Sequence, residues 1–251
     1  YKRQGSPMKL IVGFAVPIFL GNLFQQLYSV ADAMVLGRAV GVDALAAAGS
    51  TQAVYFFVLG FITGLTHGYA ILIAQRFGAG DYSGVRRTAA NAAYLAAAAS
   101  LLITVLSLLG SRALLEVMRT PGDIFEDALL YIRIIFAGTA AAVCYNMLSG
   151  ILRALGDSVS PLVILVVSAV VNVGLDVLFV VGFQWGVAGA AWATVLAQLL
   201  SGLMCLVVLC RLELMRFCRE DWQTDRVVIW SLLRLGVPVG IMNSITAMGI
   251  M

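Results

Sequence analysis

Apolar residues run in long blocks along almost the whole chain. Six blocks, at about 8–36, 44–74, 87–109, 125–152, 161–181 and 186–210, match or exceed the roughly 20 residues that carry a helix across a bilayer, and a seventh begins near 227. The short alternating segments of an outer-membrane barrel are not seen. The pattern therefore predicts an all-α integral membrane protein, a six-transmembrane-helix bundle plus part of a seventh helix. Between the third and fourth blocks, Leu114, Leu115 and Met118 lie on one side of a charged segment that stops at Pro121. This predicts a short helix lying in the membrane interface.

Polar residues are rare inside these blocks, which makes the exceptions informative. The block at 161–181 carries Asn172 and Asp176 in its middle. A carboxylate at mid-bilayer depth costs about 2.5–3.5 kcal/mol on insertion scales, so it faces a protein interior or a watery cavity. Four positions apart, the two side chains stack on one helix face within reach of one ligand, and this helix reads as a wall of a cation site. The first block carries a second carboxylate. Asn22, Gln25, Ser29 and Asp32 recur at helical spacing, with Tyr28 one turn before Asp32, forming a polar stripe that faces water or protein. Pro17 strips the same helix of a backbone hydrogen bond and offers a bending point; a fixed kink, with the stripe gluing helices together, is the alternative.

The fourth and sixth blocks add Asn146 and Thr194. Thr194 offers a hydroxyl and a backbone carbonyl, both oxygen donors suited to sodium, although an intramembrane Thr most often bonds to its own helix. Two carboxylates in a low-dielectric pocket repel each other, and a sodium ion or a proton relieves that repulsion.

Composition agrees with a membrane protein: 61% of the 251 residues are hydrophobic, 12% are charged, and the mean hydropathy is +0.98. The net charge of +3 is less telling than its distribution. Arg and Lys gather in the N-terminal segment and in alternate loops, including Arg76, Arg86, Arg87, Arg153 and the linker after the sixth block. That asymmetry predicts a multi-pass protein of the plasma (inner) membrane with a cytoplasmic N-terminus, and it gives no sign of a nucleic-acid partner. The four cysteines show no metal-binding spacing and are expected to be buried, unpaired thiols. The start at Tyr1 and the stop at Met251 inside an apolar segment lead us to expect a piece of a longer protein.

Two internal echoes point to a repeated architecture. The segment VGFAVPIFLGN around Pro17 resembles LRLGVPVGIMN around Pro238, with Asn22 matching Asn243. AQRFGAGD, ending at Asp81, resembles LRALGD, ending at Asp157. The expected division is a six-helix lobe at 1–211, a cytoplasmic linker at 212–226, and the start of a second six-helix lobe at 227–251.

Pro17, Tyr28 and Asp32, the GAGD loop, Asn146 with LRALGD, Asn172 and Asp176, and Thr194 together resemble the N-terminal half of the multidrug and toxic compound extrusion (MATE) family. The Pro238 segment resembles that family's seventh helix. The resemblance implies half of a twelve-helix, two-lobe antiporter that exports small organic cations and amphipathic compounds in exchange for Na+ or H+, with no other cofactor. It implies a cation site at Tyr28, Asp32, Asn172, Asp176 and Thr194. In a sodium-coupled protein the metal ligands would be Asp32, Asn172, Asp176 and Thr194, and Asn22, Gln25, Ser29 and Asn146 would line the substrate cavity. The implied partners are membrane lipids and the missing C-terminal lobe. A flippase for lipid-linked sugars from the same superfamily is the nearest alternative, although more cationic residues are expected in its cavity. A non-transporting membrane subunit is another. An enzyme is not expected, because there is no HExxH, no GxGD pair on facing helices and no serine with a histidine partner. His67 is expected to be packed and hydrogen-bonded, and Arg133 to snorkel from a helix end.

Overall fold

The computed structural model describes residues 7–249; within that range the side chains at 7, 9, 10, 28, 53 and 247–249 lie outside the description. The apolar blocks form helices α1 (Pro7–Ala39), α2 (Val42–Gly78), α3 (Tyr82–Val117), α4 (Phe125–Ala137), α5 (Thr139–Ala154), α6 (Val159–Asp176), α7 (Gly186–Arg211) and α8 (Arg226–Gly249). Among the described residues six helices are long and apolar enough to cross a membrane, and α4 with α5, bent by 45°, pass the same test only as a pair. The protein is a multi-pass, all-α membrane protein.

Three expectations need correction. The fourth block is two helices, because the chain bends at Gly138, where an added Cβ would lie 2.3 Å from Val195 Cγ2 of α7. The close approach of α7 fixes the bend and requires the glycine. The interfacial helix predicted near 111–121 does not exist, because α3 continues through Val117. Its Leu115 is fully buried beside Ala47, Ile132 and Phe136, so that side faces the bundle core, although Leu114 and Met118 are exposed. Of the four unpaired thiols, Cys210 and Cys218 are exposed and only Cys205 is fully buried.

The echo between the two Gly-Asp segments is a repeated turn. Gly80 and Gly156 both adopt positive φ, at 76° and 90°, a conformation that favours glycine. Each is followed by an aspartate that caps the next helix: Asp81 accepts from the Gly84 N–H at 2.8 Å, and Asp157 accepts from the Val159 and Ser160 N–H groups at 3.1 and 2.9 Å. The other echo places Pro17 inside α1 and Pro238 inside α8.

The linker is strapped to α3. Its two 3-10 turns, Glu213–Met215 and Arg219–Trp222, lie against the first turns of that helix. Arg86 donates to Asp221 at 2.9 Å, Arg87 pairs with Asp225 at 3.2 Å, and Trp222 packs edge-on against Tyr94. Fully buried Asn91 accepts from the Asp225 N–H at 3.0 Å and donates to the Gln223 carbonyl at 3.2 Å.

From this strap α8 runs along α2, the most extensive helix pair in the bundle. Glycine makes the approach possible. A Cβ on Gly64 would sit 2.5 Å from the Val239 carbonyl oxygen, and one on Gly68 would sit 2.3 Å from Gly236 Cα. Small residues at four-residue spacing let two backbones touch, which gives membrane helices packing contact where lipid provides little hydrophobic drive. In contrast, α1 packs mainly on α6, with Gly21 against Leu162 and Leu165, and meets α2 near its C-terminal end, where Leu36 packs with Ala44. The gap that remains between α1 and α2 is the cavity.

Candidate functional site

A cavity of about 840 Å³ opens among α1, α2, α5, α6 and α7, with α4 contributing Tyr131 and α8 contributing Asn243 and Thr246. The stripe on α1 faces it: Asn22, Gln25, Ser29 and Asp32 all line the wall, and Ser29 also bonds back to the Gln25 carbonyl at 3.1 Å. Pro17 lies on the same wall at the far end. Asn146 of α5 lines it too, its amide nitrogen held by the Ala142 carbonyl at 2.8 Å. The side chain of Tyr28 lies outside the described residues.

Asp32 meets α6 at Asn172. With its amide nitrogen turned to the carboxylates, Asn172 donates to Asp32 Oδ1 at 2.7 Å and to Asp176 Oδ2 at 3.2 Å, and its oxygen accepts from the Thr194 backbone N–H at 3.3 Å. The two carboxyl groups are also within hydrogen-bonding reach of each other. Asn172 and Asp176 are 0% and 1% exposed, and Thr194 is 7% exposed. The Thr194 hydroxyl donates to the Ala190 carbonyl at 3.0 Å, as a membrane-helix threonine commonly does, and its oxygen lone pairs remain available. Thus α1, α6 and α7 meet at one polar knot, with the amide N–H groups supplying partial positive charge between two acids.

Two further features mark the knot. Asp176 Oδ1 is buried without a hydrogen-bond partner, and a buried carboxylate oxygen left that way is costly unless something positive reaches it. Immediately after Asp176 the helix widens into a π-helical turn, Val177–Gly182, in which the Phe183 N–H reaches back to the Leu178 carbonyl at 2.9 Å. Such turns are rare and cluster at functional sites. The residue set fits a small cation or a proton, because it offers hard oxygen donors and an unsatisfied acidic oxygen. Among the described residues no group of three His, Cys, Asp or Glu could hold a transition metal.

Sequence reasoning missed several wall residues. Tyr55 and Tyr131 line the cavity near Asp32, but aromatic residues in apolar blocks carry no signal of their own. Gln198 of α7 lines it as well, with a buried, unpartnered Oε1; an amide inside a membrane block was a usable signal. His67 is not packed away as expected. It is exposed to the cavity, and Arg153 lines the same wall. Arg133 donates to Ser111 Oγ at 3.3 Å.

Comparison with known proteins extends these observations. A family model described as MatE matches residues 17–178. The chain is 31% identical over 251 residues to the probable multidrug resistance protein YpnP of Bacillus subtilis (strain 168), covering 99% of this chain and 56% of that relative. A solved multidrug resistance MATE family transporter of the MOP superfamily, in an outward-facing conformation, matches with a TM-score of 0.88 and 29% identity over 95% of this chain and 53% of its own. A MATE crystal structure in a bent conformation matches with a TM-score of 0.87 and 30% identity over 94% of this chain and 53% of its own. The chain spans about half the length of these relatives. The matched region includes both Asp32 and Asp176, and the chain belongs to the MatE family of membrane transporters.

Proposed function

We propose that this chain is the ion-coupling lobe of a multidrug antiporter in the cell membrane, with its N-terminus cytoplasmic, which exports cationic, amphipathic compounds in exchange for sodium or protons. The observation that carries the reading is the pair of carboxyl groups, Asp32 and Asp176, bridged by one amide at 2.7 and 3.2 Å at the edge of an 840 Å³ cavity. The coupling ion binds at Asp32, Asn172, Asp176 and Thr194, with Tyr28 one turn below Asp32. A cationic substrate is drawn to the same negative charge, so ion and substrate compete, and competition in a cavity open to one side at a time gives exchange. Sodium or a proton entering the knot replaces the partial charge that the Asn172 amide supplies and pulls on α1, which is held loosely elsewhere. Pro17, fifteen residues before Asp32 on the same wall, is where α1 bends to narrow the cavity. A Pro17→Ala variant is expected to bind cation and substrate but to export slowly; normal export rates would remove the bend from the mechanism. The second lobe is a further part of this reading and supplies the opposite wall.

The deciding measurement is the melting temperature of the detergent-solubilised chain against sodium, with choline holding ionic strength constant, at several pH values. A ligand bound only by the folded state at 100 times its Kd adds about 2.7 kcal/mol, or about 5–11 °C for a chain of this size. A sodium-specific rise lost in both Asp32→Asn and Asp176→Asn identifies sodium. A pH response lost in the same variants, with no sodium effect, identifies protons. No response of either kind would defeat the assignment.

A further inference from the structure

The cavity has a second charged end. Arg153, in the last turn of α5, lines it together with His67 of α2 and Ser158 and Pro161 at the start of α6. The acidic knot lies at the other end, beside Tyr55. Tyr55 and His67 are twelve residues apart on one continuous helix, so the two ends are separated by about 18 Å at 1.5 Å rise per residue.

Arg153 has little to neutralise it. The ion pairs among the described residues belong to Arg76, Arg86, Arg87 and Arg112. Arg153 donates one N–H to Ser149 Oγ at 3.2 Å, which leaves most of its five donors unused. Tyr145, Cys205 and His67 are within electrostatic reach of it, and none of the three is a carboxylate. Asp157, the nearest acid along the chain, spends Oδ1 on the cap of α6. The cavity lining also carries the apolar side chains of Ile18, Leu162 and Leu165. A guanidinium in such a place, with no carboxylate partner among the described residues, is built to meet an anion, and its planar fork fits carboxylate and phosphate oxygens two at a time.

We infer that this end of the cavity is a subsite for the carboxylate or phosphate group of an amphipathic anion, held by the Arg153 fork with His67 as a second N–H donor. The inference rests on the reading of the cavity as the compartment that holds cargo, and it changes what the cargo can be. The compartment sorts ligands by head group, with cationic heads towards Asp32 and anionic heads towards Arg153. The anionic group belongs either to a soluble amphipath or to an acidic lipid whose head enters from the leaflet on the Arg153 side.

The test is isothermal titration of the purified chain in a neutral maltoside detergent with two probes, 1-naphthyl phosphate and (1-naphthylmethyl)trimethylammonium. Arg153→Gln is expected to lower the ratio of phosphate to ammonium affinity at least tenfold, and Arg153→Lys to lower it less. His67→Gln is expected to lower it about threefold and tests the same subsite if Arg153→Gln fails to fold. Asp32→Asn should move the ratio in the opposite direction; if it does not while Arg153→Gln behaves as expected, the acidic-site reading fails and the anion subsite stands. Phosphatidylglycerol that displaces naphthyl phosphate, and that stays bound to wild type but not to Arg153→Gln in native mass spectra, identifies the lipid as the source. Displacement by inorganic phosphate without displacement by that lipid identifies a soluble anion. No binding of naphthyl phosphate by wild type, or an unchanged ratio in both Arg153→Gln and His67→Gln, would overturn the proposal.

Discussion

Gly68→Ala adds one methyl group where the structure leaves no room for it. The new Cβ would lie 2.3 Å from Gly236 Cα and 2.6 Å from Gly236 N, whereas ordinary contact begins at 3.4 Å, so α8 must retreat by about 1.1 Å. Both obstructing atoms are backbone, so no rotamer change relieves the clash. Overpacking of this kind costs about 1–3 kcal/mol. For a chain of this size that is a fall of about 2–12 °C in melting temperature, read from thiol-dye fluorescence in detergent. Gly64→Ala, 2.5 Å from the Val239 carbonyl oxygen, is expected to cost a similar amount. The double variant should cost less than the two added together, because one retreat of α8 relieves both clashes. Gly174→Ala is the control: nothing lies within 4 Å of its added Cβ, and alanine favours the helix. If Gly68→Ala melts with wild type and Gly174→Ala, the close α2–α8 packing described above is wrong.

Asp221→Ala removes the carboxylate that accepts from Arg86 at 2.9 Å and from the Cys218 N–H at 2.8 Å. A loss of about 1 kcal/mol is expected to speed trypsin cleavage at Arg216 and Arg219 about fivefold, and an unchanged cleavage rate would show that the strap holds without it. Ser168 and Ser201 bond to each other between α6 and α7. Each single alanine variant is expected to cost about 0.6 kcal/mol by thermal melting, and the double variant little more than one; strictly additive costs would mean that the pair does not interact.

The parts of the molecule that could be read from the sequence are those where a residue violates its surroundings. Asp32, Asn172 and Asp176 stood out because acids and amides do not sit idle in apolar blocks, and their spacing put each on one face of its helix. What the sequence withheld depends on partners distant along the chain. The bend at Gly138 comes from Val195 pressing against it, and the burial of Leu115 comes from α2 and α4 covering a face that hydropathy alone assigned to the interface. Local pattern could not show that His67 and Arg153 share one cavity wall, because 86 residues separate them. The π-helical turn after Asp176 left no mark at all among valines and leucines.

The strap between α3 and the linker also orders events during synthesis. Arg86 and Asn91 are made about 135 residues before the partners that satisfy them, Asp221 and Asp225. At roughly 5–20 residues per second, the first turns of α3 wait about 7–27 s for those partners. During that interval the Asn91 amide oxygen lacks the Asp225 N–H that it accepts in the finished fold, where the residue is fully buried and its nitrogen also bonds to the Arg87 carbonyl. Closure of the strap then sets the start of α8 at a defined place against helices already in the membrane. The polar base of α3 therefore works as a landing mark, by which the nascent chain registers α8.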